Sequence, residues 1–556
     1  MFFQTTTKNT LPHATGRFLE LQGVSRFLKI QFCLFALLGV VLSAYFASIW
    51  FAPEHIPSNF SGWWHILDYL LFFVLSYIVW HHILMELFSW YITAYIQQPV
   101  AQPVVDMSLR VAYCTAYVPG SEPYDILEQT LKAMVAVDYP HDTWLLDEGN
   151  DVEAKRICKK YGVHHFSRHG KEEFNGLSGR FKRKTKGGNY NSWLHHYSDR
   201  YDIVAQHDVD FIPRSDFLTK TLGYFSDPTV AFVGTPQVYG NENESWIARG
   251  AAEQTYGFYG PIQKGFYGHN MTLLIGANHI MRMKAYQDID GYTAHIAEDM
   301  LTGMKLYAHE GQWKSVYVPE ALLIGEGPAT WDAYLVQQMR WAFGCMDILF
   351  RHAPPLFLRM NPRKVINYLL LQQFYFSGIA QAVGVGLMML YFFAGINSAA
   401  MALGSSILLL YTILVLYQTL FQMWLQRFNI MPETENGLLL RGKVLGVAAW
   451  PIYFLAFVSV VFKWQLTYKV TPKGSSQSVA YVPTLFIPHF ILGTITLVGI
   501  LWGLNVGRTA GPIVFWALLN TGFMYFFYFS QAIPSLVQNV RRSVVWQRKV
   551  VDLPLN

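Results

Sequence analysis

Asp202-Ile203-Val204-Ala205-Gln206-His207-Asp208-Val209-Asp210 is the stretch on which the reading of this chain turns. Ile203 to Ala205 is β-rich, and the run ends in two acids two positions apart. On extended backbone such residues point to the same side, so Asp208 and Asp210 can share one divalent cation. Hard oxygen ligands suit Mg²⁺ or Mn²⁺, which complete their shells with substrate phosphates and water. A diphosphate is the natural third party. A lone D-x-D is also common in surface turns, so its neighbours carry the weight.

Similar β-rich stretches lie at Arg110 to Cys114, Thr143 to Leu146 and Val230 to Val233, separated by polar, helix-compatible segments. This alternation predicts a mostly parallel sheet with helices on both faces. Ligands in such folds bind at the carboxyl ends of the strands. Asp147 and Asp208 fall at such ends.

Beyond this region the chain is apolar. Of 556 residues, 52% are hydrophobic, 16% aromatic and only 14% charged, a composition that places part of the chain in lipid. The net charge of +5 does not call for nucleic acid, because basic residues at bilayer edges account for it. The four cysteines, Cys33, Cys114, Cys158 and Cys345, form no close pair, so no disulfide framework or structural metal is implied. A span needs about 20 apolar residues, and candidates are Ile30 to Phe51, Tyr69 to Trp90, Leu369 to Phe393, Met401 to Met423, Leu485 to Leu504 and Pro512 to Ile533. The first continues too far for a cleavable signal peptide. Val444 to Phe462 is apolar but holds Pro451 and is flanked by Arg441, Lys443 and Lys463, which predicts an interfacial helix. Six spans are expected, with seven as the alternative. Lys8, Arg17, Arg26 and Lys29 at one end and Arg541, Arg542, Arg548 and Lys549 at the other place both ends on the cytoplasmic side.

The expected organisation is a cytosolic segment at 1–29, two spans within 30–99, a soluble domain at 100–364, two spans within 365–427, an interfacial helix and loop at 428–482, two spans within 483–535, and a basic tail at 536–556.

Further signatures punctuate the soluble domain. Lys186-Gly187-Gly188-Asn189 ends a basic run, and its glycines allow backbone to approach a ligand closely. Glu298-Asp299 precedes a helix-like stretch, where acids are also favoured by the helix dipole. Gln337, Arg340 and Trp341 share one helical face. An indole there can stack on a sugar, and a guanidinium can hold a diphosphate in a bidentate manner.

Taken in order, Asp147-Glu148-Gly149, Lys186-Gly187-Gly188-Asn189, Asp208-Val209-Asp210, Glu298-Asp299, Gln337-Gln338-Met339-Arg340-Trp341 and Tyr468-Lys469-Val470-Thr471-Pro472-Lys473-Gly474 resemble the processive family 2 glycosyltransferases of the cellulose synthase-like type. The resemblance implies a GT-A, Rossmann-like domain inserted in a bundle of about six spans with interfacial helices. It implies an inverting, UDP-forming β-glycan synthase that threads its product through the membrane. Asp299 would be the general base, with Glu298 beside it. Gln337, Arg340 and Trp341 would serve acceptor and diphosphate. Glu122, Asp147, Lys186, Asp208 and Gln338 would meet the nucleotide sugar, and Asp208 and Asp210 the metal. Thr471 and Lys473 would belong to a gating loop reaching the diphosphate, a feature favouring cellulose-type over hyaluronan-type enzymes.

The chain departs from the family pattern at Ser121, where Asn is usual, at Glu148 in place of Asp, and at Ala297 in place of Thr. Implied partners are UDP-glucose or a related nucleotide sugar, the nascent β-glycan, the lipid bilayer, and export partners in periplasm or wall. The implied location is the plasma membrane, multi-pass, with the catalytic domain cytoplasmic. No cyclic-di-GMP domain is expected. The rival readings are another β-linked polysaccharide, such as one made from UDP-GlcNAc, and single sugar transfer to a lipid carrier.

Overall fold

The computed structural model describes residues 18–20, 26–102, 108–310, 313–400, 405–464 and 482–551. Its α/β part is built on a seven-stranded sheet: β1 Val111–Tyr117, β2 Asp142–Asp147, β3 His164–Phe166, β4 Ile203–Asp208, β5 Val230–Gly234, β6 Asn278–Arg282 and β7 Lys314–Tyr317, in the spatial order β7-β5-β6-β4-β1-β2-β3. All neighbours run parallel except β6, which is antiparallel to both β4 and β5. The expected mostly parallel sheet is therefore present, with one reversed strand at its centre. The four β-rich stretches read from sequence lie in β1, β2, β4 and β5. β6 escaped that reading because Asn278-His279-Ile280-Met281-Arg282 is polar at three of five positions, although all five are buried. Their polar atoms are met across the fold: Asn278 donates to Pro236 O, and Arg282 donates to Phe225, Asp227 and Val230 carbonyls.

Register places the acids. Tyr117 at the end of β1 pairs with Asp147 on one side, and its neighbour Ala116 pairs with Asp208 on the other. Both acids thus stand at the carboxyl edge of adjacent parallel strands, where α/β sheets bind ligands.

The helices that matter are α1 Arg26–Trp50, α2 Ile66–Thr93, α3 Lys186–Tyr197, α4 Trp246–Gly257, α5 Glu298–Ala308, α6 Trp331–Asp347, α7 Pro362–Met389, α8 Ser405–Leu425, α9 Leu440–Val461, α10 Ile487–Asn505 and α11 Gly511–Val551. Among the described residues, seven helical segments are long and apolar enough to cross a membrane: α1, α2, α7, α8, α9, α10 and the Gly511–Leu536 part of α11. The stretch Met401 to Gly404, with which one expected span began, lies outside the described residues. α11 continues past Pro534, which lies inside it, through the basic residues Arg541, Arg542, Arg548 and Lys549 to Val551. α1 and α8 are zipped by Phe35, Phe421 and Trp424, and Tyr417 donates to Phe35 O at 2.8 Å. At the opposite end of the bundle from the sheet, the Asn59 side chain donates to Asn397 O and accepts from Asn397 N, tying two loops.

α9 differs from the other apolar helices. It is the most covered of the seven, with 44% of its apolar window buried. Gly250 of α4 abuts Leu445, Gly378 of α7 abuts Tyr453, and Tyr453 Oη donates to Gln338 of α6 at 2.8 Å. One apolar cluster runs without a break from the sheet through α9 to Phe527 of α11.

Candidate active site

Each loop at the sheet edge is closed by its own side chains. Asp147 is fully buried; its carboxylate accepts N–H bonds from Gly149 at 2.9 Å and Asp151 at 2.5 Å, and lies 2.9 Å from His165 Nε2. Glu122 accepts from Val118 N at 2.9 Å and so closes the turn after β1. The ring of Pro119 in that turn packs on Gly149, leaving no room for a side chain there.

Lys186 opens α3. Thr185 caps the helix, its hydroxyl accepting from Gly188 N at 3.1 Å. The glycines that follow serve the protein's own packing, not only a ligand's approach. A Cβ on Gly187 would collide with Thr293 O, and one on Gly188 with Lys182 O and, at 2.7 Å, with Arg168 Nη1. Arg168 is a residue that sequence reading missed. Fully buried, it holds Glu148 in a bidentate pair at 2.7 and 2.9 Å and donates to Phe174, Phe181, Lys182 and Thr185 carbonyls. It thereby pins the basic loop that delivers Lys186. The one sequence hint was an arginine 20 positions from Glu148, which no local pattern singles out.

The chemistry converges on Gly276, a second residue not anticipated. Lys186 Nζ donates to Asp208 Oδ1 at 2.5 Å and to Gly276 O at 2.6 Å. The N–H of the same Gly276 donates to Asp299 Oδ2 at 2.8 Å, while Asp299 Oδ1 accepts from Met300 N at 2.7 Å. One residue therefore bridges the Lys186–Asp208 pair and Asp299. Asp208 keeps its side chain 42% exposed at the cleft, whereas Asp210 is buried. Burial pushes both the Glu298 and Asp299 carboxyls up, and for Glu298 the neighbouring Asp299 charge adds to this. The Lys186 ammonium pulls both back down. Carboxyls so poised suit proton transfer better than ordinary surface acids.

α6 closes the cleft on the membrane side. Gln337 and Gln338 are buried, Arg340 and Trp341 partly so. One turn beyond, a Cβ on Gly344 would stand 2.7 Å from Ala297 Cβ, so the Gln337-Arg340-Trp341-Gly344 face abuts the segment that carries Glu298 and Asp299. The departure at Ala297 is matched by this tight small-on-small contact. Gln372 of α7 reaches Cys345 O at 3.4 Å and Met300 Sδ at 3.7 Å, an interhelical structural role, whereas Gln381 faces a cavity. Tyr468 to Gly474, with Thr471 and Lys473, lies outside the described residues.

That cavity, of about 950 Å³, lies among the apolar helices. It is walled at one end by Glu253 and Gln254 of α4 and at the other by Tyr391, Ser398 and Trp50. It follows α7 from Phe374 to Met388, about 21 Å of helix at 1.5 Å per residue.

Comparison with known proteins points to the glycosyltransferases. Residues 203–425 match the family described as Glycosyl transferase family group 2. The UDP-forming cellulose synthase catalytic subunit of Dictyostelium discoideum is 36% identical over 169 residues, 29% of this chain and 16% of that protein. The cellulose synthase catalytic subunit of Pseudomonas fluorescens is 27% identical over 269 residues, 47% of this chain and 33% of that one. Probable glucomannan 4-beta-mannosyltransferase 14 of Arabidopsis thaliana is 25% identical over 278 residues, 47% of this chain and 50% of its own length. The matched segments thus cover half or less of these relatives. Among solved structures, the mannosyltransferase PcManGT from Pyrobaculum calidifontis, in complex with GDP-Man and Mn²⁺, is 15% identical with a TM-score of 0.45, covering 71% of this chain and all of that one. These matches support the resemblance carried by the acidic and Q-x-x-R-W motifs: residues 203–425 match a family 2 glycosyltransferase domain, and cellulose synthase catalytic subunits are among the relatives to which the chain is similar.

Proposed function

We propose that the protein is a processive, inverting glycosyltransferase that polymerises a β-glucan from UDP-glucose and passes it across the plasma membrane. The observation that carries this reading is the convergence on Gly276 of the Lys186–Asp208 pair and Asp299, directly beneath the α6 face bearing Arg340 and Trp341. Asp299 takes a proton from an acceptor hydroxyl, whose oxygen attacks the anomeric carbon as UDP departs. A single displacement converts an α-linked donor into a β-linked product. Lys186 and Arg340 offset the charge gathering on the diphosphate, and Thr471 and Lys473 would join them from their loop. Glu122, Asp147 and Gln338 shape the nucleotide side. Asp208, which already seats the Lys186 ammonium, is the carboxylate that fits a divalent cation; Val209 and Asp210 form a turn after β4 instead of continuing the extended strand, and Asp210 is buried there, so it would join the cation from that turn. Bound there, Mg²⁺ or Mn²⁺ would neutralise the leaving diphosphate.

The 950 Å³ cavity, with Gln381, Tyr391 and Ser398 in its wall, supplies the route for the polymer. Six spans with α9 along the interface fit its burial against α4 and α6. The soluble domain is then residues 100–364, facing the cytoplasm. Cellulose-type relatives and the loop at Tyr468 to Gly474 favour glucose as the sugar. The test is incorporation of labelled sugar by the purified protein in nanodiscs with Mg²⁺ and UDP-glucose, against UDP-GlcNAc and GDP-mannose, followed by linkage-specific glucanase digestion. Glucose polymer that disappears in Asp299→Asn is the expected result. A labelled lipid without polymer would overturn processivity.

A further inference from the structure

Next to the catalytic segment lies a cluster that the chemistry above does not use. His295, Asp347 and His352 bring ligand-type atoms within 4.8 Å of one another. Two imidazoles and a carboxylate invite a transition-metal reading, but the hydrogen bonds oppose it. His295 Nδ1 accepts the backbone N–H of Ala297 at 3.0 Å. A backbone amide can only donate, so the Nδ1 lone pair is engaged and the ring proton sits on Nε2. That nitrogen lies 3.0 Å from Asp347 Oδ2 and donates to it; carrying a proton, it has no lone pair for a metal.

The tautomer so fixed makes His295 a rigid spacer between a carboxylate on α6 and the peptide of Ala297, the residue immediately before Glu298 and Asp299. Asp347 is itself held. Arg351 donates to its other oxygen and, through Nη2, to Val460 O at 2.7 Å in the last turn of α9. His352 stands 3.6 Å from Oδ2. The same helix supplies Gln337, Arg340 and Trp341, and its Gly344 packs on Ala297. Asp347 therefore gathers the base segment, the Q-x-x-R-W helix and the end of α9.

We propose that His295 and Asp347 are positioning residues for the glycosyl transfer: through the Ala297 N–H they hold Asp299 at the distance from the Arg340–Trp341 face that the attack requires. This rests on the glycosyltransferase reading above. A misplacement of about 0.5 Å costs roughly tenfold in rate. The effect belongs to turnover, because the hydrogen bonds of His295 and Asp347 run to Ala297 and Arg351, on the Asp299 side of the cleft.

The experiment uses the full chain in nanodiscs and measures kcat, donor KM and UDP affinity by calorimetry for His295→Ala, Asp347→Ala, the double variant and His295→Asn, together with bound zinc by mass spectrometry. Each alanine variant is expected to lose about tenfold in kcat, with KM and UDP affinity within about twofold of the parent. The double variant should lose no more than either single one, as for residues acting as a unit. His295→Asn can still accept the Ala297 N–H in an Asx turn and should recover part of the loss; it also serves if an alanine variant fails to fold. Unchanged kcat, additive losses, a change confined to KM, or stoichiometric zinc that leaves in His352→Ala would each overturn the proposal. Absence of transfer by the parent protein would refute the enzymatic reading instead.

Discussion

Gly276→Ala is the most discriminating small change at this site. The added methyl would stand 3.0 Å from Asp299 Oδ2 and 3.2 Å from Glu298 Oε1. Ordinary contact begins at 3.4 Å, so the base must retreat by about 0.4 Å, the difference between 3.4 and 3.0. If a 1 Å misplacement costs about 10²-fold, 0.4 Å costs roughly sixfold, or about 1 kcal/mol of barrier. Gly276 is not among the residues with positive φ, and alanine retains the N–H that Asp299 accepts, so the fold should be undisturbed. The assay is steady-state UDP release coupled to polymer formation, with UDP affinity measured separately. The expected result is a roughly sixfold lower kcat, an unchanged UDP affinity and an unchanged melting temperature. Full activity, or a loss expressed only in donor KM, would show that Asp299 does not act from this position.

Lys186→Met removes the ammonium that holds the Glu298 and Asp299 carboxyls down. Activity is lost as pH falls through the base's raised pKa, so the acid limb of the residual kcat profile should move to higher pH; no shift would disconnect Lys186 from the base. Arg168→Ala takes their shared donor from Glu148 and four carbonyls, and denaturation should show about 3 kcal/mol of destabilisation, together with weakened UDP binding as the Lys186 loop loosens. Gly384 faces the cavity with only Ile78 Cδ1, at 3.9 Å, close to where a side chain would begin. Gly384→Trp should therefore leave UDP affinity intact while shortening or abolishing polymer, read by gel filtration of the labelled product.

The candidate reacting groups could be picked out from residue order alone. Asp208, Asp210, Asp299 and the Gln337-Arg340-Trp341 face were legible because their residue types and spacing are local, and because β1, β2, β4 and β5 announce themselves by short β-rich runs. The helices apolar enough to cross a membrane were equally legible, since about twenty apolar residues need no partner to be recognised. What depends on distant backbone emerged only with folding. β6 is a strand because Pro236, Phe225, Asp227 and Val230 carbonyls satisfy its polar side chains, and no local pattern encodes that. The glycines after Lys186 read as room for a ligand, yet Thr293, Lys182 and Arg168 fill that space. Gly276 carries no side chain to betray it, and only the folded chain brings its two backbone groups between Lys186 and Asp299. His295 and Asp347 lie 52 positions apart, a separation at which side-chain chemistry leaves no trace in local sequence. The candidate groups are written in the chain; the backbone and neighbours that aim them exist only once it has folded.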